Sequence, residues 1–388
     1  MSGPIDLIPW IEKYRPRRIR DVVQSDEIIS LFENIMATGS LPHMLFYGPQ
    51  GTGKTSSALA LGREIFGDDD FRERIIEFNA SDDRGINAVR DKIAFEARKS
   101  VNKITLPNGK IIPPYKIIIL DEADSMTDEA QDALRVIIEE YSTVTRFCFI
   151  CNYINKMTDA IKSRCSKIYF KRLSVECMKS KLSEISKIER MDDLPDEVIS
   201  SLISVSSGDM RKAIMLLQNI KYEYEFRKHL SKPIDNMTLP DLKNYMSFPL
   251  NQNTSNSISG EDVYAIAGTI SDAKSGELLH SLTRCKNIGN VRDLSRSIIN
   301  MGYPVDSVIM QLNNHIIKAD QIDNIQKAKI LQCNSLILYR MKECANEYIQ
   351  LLQYLSKIYL VLTRRDEVGV VGCVQPKLAK KPIRKASK

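Results

Sequence analysis

Between Gly48 and Thr55 the chain reads GPQGTGKT, a spacing of glycines, lysine and threonine that suits the binding of a phosphate chain. Glycines let such a loop turn its backbone N–H groups toward phosphate oxygens, and the helix N-terminus behind it adds positive dipole. In that frame Gly48, Pro49, Gln50, Gly51, Thr52 and Gly53 form the cradle, Lys54 reaches the outer phosphates and Thr55 ligates Mg2+. IIILDEAD, Ile117 to Asp124, sets Asp121 at the end of an apolar run, where a carboxylate shares the metal with Thr55. Glu122 then stands one residue further out, placed to orient and deprotonate an attacking water, while Asp124 braces the following turn. A third apolar run, FCFICN, ends in Asn152, whose amide either holds that water, senses the terminal phosphate or simply forms a turn. The ligands these residues call for are ATP and Mg2+.

Such residues need a scaffold that delivers them to one edge. MLFYG, Ile117 to Leu120 and Phe147 to Cys151 are short apolar runs, each ending in a glycine or a polar residue, and GREIFG continues the phosphate loop with helix formers. Buried strands with polar C-terminal ends predict an α/β fold built on a parallel sheet, with its ligands at that edge. From about Leu173 the strand signals fade into amphipathic helical patterns. The expected organisation is an α/β nucleotide-binding domain over 1–172, a small helical lid over 173–235, a Ser/Asn-rich linker or insertion over 236–260, an all-helical domain over 261–366 and a basic flexible tail over 367–388.

Composition bounds the rest. With 43% hydrophobic and 27% charged residues in 388, the chain matches a globular multidomain protein, neither a disordered nor a membrane one. The start, MSGPIDLIPWIEKYRPRR, turns charged before an apolar run reaches signal length, and no segment holds about 18 uninterrupted apolar residues, which predicts an intracellular chain with no membrane partner. The net charge of +6 is carried by six basic residues beyond Glu367, and without them 49 basic residues face 49 acidic ones. A nucleic-acid site must therefore be a local patch. Eight cysteines without a regular framework fit buried hydrophobes in a reducing compartment. Cys148 and Cys151 do not make a metal site, because residues three apart on a strand face opposite sides.

Several less general motifs accompany the nucleotide residues: WIEKYRP (Trp10 to Pro16), EFNASDDRGI (Glu77 to Ile86), ILDEADSMT (Ile119 to Thr127), FICNYINK (Phe149 to Lys156), SRC (Ser163 to Cys165) and GDMRKAI (Gly208 to Ile214). In this order, from about Pro9 to Leu217, the chain resembles the small subunits of replication factor C, the clamp loaders among the AAA+ ATPases. The resemblance implies an AAA+ domain, a lid and a helical collar that assembles a hetero-pentamer. It implies an ATPase, stimulated by DNA, that opens a sliding clamp and places it on primer-template DNA in the nucleus, or in the cytoplasm for a virus replicating there.

By the same resemblance Arg164 acts in trans as an arginine finger on the neighbouring subunit's ATP, and Arg211 reaches from the lid to the γ-phosphate of its own. Tyr14, Arg15 and Pro16 lie near the adenine, Arg84 and Arg90 meet the DNA backbone, and the clamp contact falls between Glu96 and Tyr115. The chain departs from the family pattern at Gln24, where a glycine is common, and in the long VNKITLPNGKIIPP stretch. Two other readings compete. A DEAD-type helicase would need a second ATPase-like lobe, and a ring subunit holding ATP as structural glue would not need Lys54, Thr55, Asp121 and Glu122 together.

Overall fold

The computed structural model describes residues 8–80, 86–100, 104–105, 111–191, 194–230, 258–285, 287–343 and 345–363. The chain divides into two units between Ala267 and Gly268.

The first unit is built on a parallel sheet of β1 (Met44–Tyr47), β2 (Ile75–Asn79), β5 (Lys116–Asp121), β6 (Thr145–Cys151) and β7 (Ser166–Tyr169), ordered β2-β5-β6-β1-β7. The apolar runs become strands because both faces are covered. Met44, Phe46, Ile117, Ile119, Cys148 and Ile150 pack with α2 (Asp26–Thr38) and α3 (Lys54–Arg74), whose Phe32, Leu61 and Phe66 join the same core. The alternate residues Leu45, Ile118, Leu120, Phe147, Phe149 and Cys151 pack with α4 (Ile86–Arg98) and α5 (Asp128–Glu140). Cys148 and Cys151 accordingly belong to different layers, and burial pushes both thiols up, Cys151 to about 12. In the parallel register Tyr47 lies opposite Cys151 and Asn79 opposite Asp121, so Gly48, Asp121 and Asn152 leave the sheet along one edge.

The long stretch before β5 contains a feature the sequence reading did not anticipate. β3 (Ile104–Thr105) and β4 (Ile111–Ile112) pair antiparallel, Ile104 with Ile112, as a hairpin separate from the main sheet.

Past residue 173 every described element is a helix, so among the described residues there is no second ATPase-like lobe. The lid consists of α7 (Val175–Ile188), α8 (Asp196–Ser206), α9 (Met210–Leu230) and α10 (Gly260–Ile266), and is joined by α1 (Trp10–Lys13) from the far N-terminus. Trp10, Leu182, Leu202, Leu217 and Val263 share its core. The structure thus carries 258–267 with the lid, where the sequence reading began the next domain at 261. Two contacts account for this: Ile258 and Val263 are buried with α8 and α9, and the Arg227 guanidinium forks onto Asp262 at 2.9 and 3.1 Å. The expected linker over 236–260 lies outside the described residues up to 257, as does the basic tail over 367–388.

The second unit holds α11 (Asp272–Arg284), α12 (Ile288–Asn300), α13 (Val305–Lys318), α14 (Asn324–Lys342) and α15 (Glu347–Leu362) around one apolar core. Within it Tyr354 OH donates to Asn313 Oδ1 at 2.6 Å, pairing two buried polar groups. No described helix is long and apolar enough to cross a membrane.

A titratable group sits at the root of the sheet. His43 Nδ1 accepts the Phe147 N–H at 3.1 Å, and burial, with Arg146 nearby, lowers its pKa from 6.5 to about 4. The unfolded chain therefore takes up a proton first as pH falls, so stability present above pH 6.5 is lost progressively toward pH 4. Urea unfolding midpoints measured from pH 7 to 4.5 will fall more steeply for the native chain than for His43→Gln, which accepts the same hydrogen bond without titrating.

Candidate nucleotide-binding site

Three glycines shape the phosphate loop, with φ of 144° at Gly48, 67° at Gly51 and 86° at Gly53. Two of them are also sterically committed. A Cβ on Gly48 would collide with the Phe170 carbonyl, and one on Gly51 with the Asp209 carboxylate. Gly53 is the N-cap of α3, which makes Lys54 its first residue. That lysine is only 7% exposed, and its Nζ donates to Gly48 O at 2.8 Å, Pro49 O at 2.7 Å and Asn152 Oδ1 at 3.1 Å. Burial lowers its pKa, with Asp121 the main opposing influence.

Thr55 Oγ1 donates to Asp121 Oδ2 at 2.7 Å, joining the first turn of α3 to the end of β5. This hydroxyl and carboxylate are hard oxygen ligands, and Mg2+ takes one or two such groups while keeping several waters. The donor set therefore fits Mg2+ and not a thiolate metal. Glu122 follows in left-handed backbone, φ 53°, a conformation a non-glycine residue holds at a cost of order 1–3 kcal/mol. Its N–H donates to Asp121 Oδ1 at 2.8 Å, and its carbonyl accepts from Ser125 Oγ at 2.7 Å. The Glu122 carboxylate takes no hydrogen bond or ion pair from the described residues, which leaves it available to a water. Asp124 Oδ2 accepts the Tyr153 N–H at 3.3 Å and so ties its turn to the end of β6.

Lys54, Thr55, Asp121, Glu122 and Asn152 open into one cavity of about 580 Å³, within the range of small-molecule sites. Tyr14, Arg15 and Pro16 line it from the N-terminal segment, Val22 and Val23 from the stretch before α2, and Arg211 and Ile214 from the lid. Apolar groups from these neighbours offer a surface for a flat base beside the polar loop. Arg211 lies in the first turn of α9, near enough to Lys54 that its charge depresses the lysine pKa further.

Two contacts here escaped the sequence reading. Gln24, 8% exposed, donates its side-chain Nε2 to the Thr52 carbonyl and so braces the phosphate loop from behind. Asp209 packs against Gly51 while the next N–H, that of Met210, donates to Gly51 O at 3.1 Å, seating the lid on the loop. Gln24 was visible as a departure from the family glycine; Asp209 carried no signal beyond its motif.

Arg164 does not line this cavity. It lies just past α6 (Asp159–Lys162), its Nε donating to Glu139 Oε1 at 2.7 Å and its Nη1 to Ala160 O at 2.8 Å. Arg90 falls on α4, and Arg84 lies outside the described residues.

Known families and relatives agree with this geometry. The family described as DNA polymerase III, delta subunit matches residues 24–174, and the replication factor C C-terminal domain matches 271–357, within the second unit. A replication factor C small subunit of Acanthamoeba polyphaga mimivirus is 56% identical over 93% of this chain and 99% of its own. The chain belongs to the replication factor C small-subunit family. Replication factor C subunit 4 of Arabidopsis thaliana, 38% identical over 92% of this chain and 96% of its own, and subunit 2 of Saccharomyces cerevisiae, 38% identical over 90% and 92%, extend the match to distant organisms. Motif and topology make the first unit a P-loop α/β domain followed by a small helical lid, and the family match makes the second the replication factor C C-terminal domain.

The Gln24 contact yields a prediction for this replication factor C subunit. Gln24→Ala leaves the Thr52 carbonyl without its buried donor, a loss of about 1–3 kcal/mol. The Kd for ATP, measured by displacement of a fluorescent nucleotide, will rise by roughly tenfold. An unchanged Kd would show that the loop holds its shape without Gln24.

Proposed function

We propose that this chain is an ATP-hydrolysing subunit of a hetero-pentameric clamp loader that opens a sliding clamp and sets it on primer-template DNA. The observation that carries this is the convergence of Lys54, Thr55, Asp121, Glu122 and Asn152 on one cavity, with Arg211 at its rim and Arg164 outside it. Arg164 lying outside its own chain's cavity supports a place for it at a neighbour's site.

The division of labour we propose draws on the cavity geometry for the nucleotide residues and on the family resemblance for the rest. The backbone N–H groups of the loop and Lys54 would bind the phosphates, and Thr55 and Asp121 would hold Mg2+, which would supply neutralising charge there. Glu122 takes the proton of the attacking water, and Asn152, already bonded to Lys54, orients that water against the γ-phosphate. Arg211 moves with the lid and links its position to the nucleotide, while Arg164 adds positive charge at the adjoining subunit's site. Tyr14, Arg15 and Pro16 carry the base. Arg84 and Arg90 meet the DNA backbone without reading sequence, the clamp docks between Glu96 and Tyr115, and the C-terminal helices assemble the ring. ATP thus acts as a switch: binding closes the interfaces and hydrolysis releases clamp and DNA. The work is done inside the cell, in the nucleus or, for a virus, at a cytoplasmic replication site.

The decisive experiment measures ATPase rate in the complex with partner subunits, with and without sliding clamp and primed DNA. Both ligands will raise the rate, and Glu122→Gln will lower the stimulated rate by about 100-fold or more at an unchanged ATP Kd. Arg164→Ala in this chain will remove turnover from the neighbour's site, a loss of order 1000-fold there. A rate indifferent to clamp and DNA, or to Glu122→Gln, makes this a subunit that holds ATP as structural glue.

A further inference from the structure

The N-terminal segment is anchored in two layers. Trp10 is 5% exposed in the lid core, and its backbone N–H donates to Gln218 Oε1 of α9 at 3.2 Å. Nine positions on, Ile19 is 1% exposed in the core of the α/β layer, and its N–H donates to Glu64 Oε1 of α3 at 2.8 Å. Tyr14, Arg15 and Pro16 lie between these anchors, as a strap that walls the nucleotide cavity.

One carboxylate ties the strap to the lid. Glu189 caps the C-terminus of α7, with a side chain 10% exposed. It accepts hydrogen bonds from Lys13 Nζ at 2.9 Å, from Tyr14 OH and from Lys221 Nζ of α9 at 2.8 Å. Lys221 Nζ also donates to the Glu189 carbonyl at 3.0 Å and lies over the Trp10 ring, and that ring meets Tyr14 edge-on at 5.8 Å. Burial alone would raise the Glu189 carboxyl, but the Lys221, Tyr14 and Lys13 hydrogen bonds hold it down at about 2. Burial and the same carboxylate raise the Tyr14 phenol, which remains a donor. The pairing is charge-assisted and mostly shielded from water, conditions under which such bonds are strong.

We propose that Glu189 is a positioning residue for the base end of the nucleotide: it fixes Tyr14, and with it the wall of Tyr14, Arg15 and Pro16, to the lid. Binding of the base and placement of the lid then become one event, distinct from the grip of the phosphate loop. This rests on the reading of the cavity as a nucleotide site.

The test compares ATP with inorganic tripolyphosphate, which carries the phosphates and lacks the base, by calorimetry with Mg2+ on the full chain. Glu189→Gln will weaken ATP by about tenfold, the value of one charge-assisted bond, and leave tripolyphosphate within about twofold. Tyr14→Phe, which keeps the ring and loses the donor, will weaken ATP in the same selective way, and it decides the matter should the Glu189 variant not fold. Parallel losses for ATP and tripolyphosphate, or no loss for either, overturn the proposal and leave the nucleotide site standing. A native chain that binds neither ligand brings down both readings.

Discussion

A lysine only 7% exposed, at the edge of the cavity, is the constraint on which the P-loop half of the molecule depends. A buried cation is costly unless hydrogen-bond acceptors surround it, and for Lys54 those acceptors are two loop carbonyls and the amide of Asn152. To supply the carbonyls, the loop must curl back over the start of α3, which only glycine permits where Phe170 and Asp209 press against it. To supply the amide, β6 must lie beside β1 and run parallel to it, ending where the loop begins. Asp121, one strand further out on β5, then comes within reach of Thr55. The sheet order is thus not a neutral platform. It is the arrangement that lets one buried charge be satisfied from two chain segments far apart in sequence.

The lid is tied into that arrangement twice. Met210 and Asp209 hold it against the loop, and α1 holds it to the strap through Trp10 and the Glu189 cluster. The first tie is polar, and the second joins the buried Trp10 to the polar Glu189 cluster, whereas the apolar cores of lid and sheet are separate. Tyr14, Asp209 and Met210, which take part in these ties, also line the cavity, so a ligand there would lie beside the contacts that seat the lid.

What was legible in the sequence follows from locality. GPQGTGKT, the run ending in Asp121 and the run ending in Asn152 are each read within a dozen residues, whereas the roles given to Arg164 and Arg211 come from the family motifs alone. Gln24 with Thr52, Tyr14 with Glu189 and Arg164 with Glu139 were not legible, because each joins positions whose proximity only the tertiary fold creates. The allegiance of α10 failed for the same reason: Val263 has an ordinary helical pattern, and only burial against α8 assigns it to the lid. The β3–β4 hairpin was too short, at two residues a strand, to register as periodicity.

Trp10 is the single tryptophan of the chain. It is buried in the lid, edge-on to Tyr14 and beneath the Lys221 ammonium, at the junction where strap and lid meet. Excited at the red edge of protein absorption, the intrinsic emission of this subunit comes from one indole, beside a cation and a phenol that act as local quenchers. The molecule carries its own optical probe of that junction, and the probe needs no label.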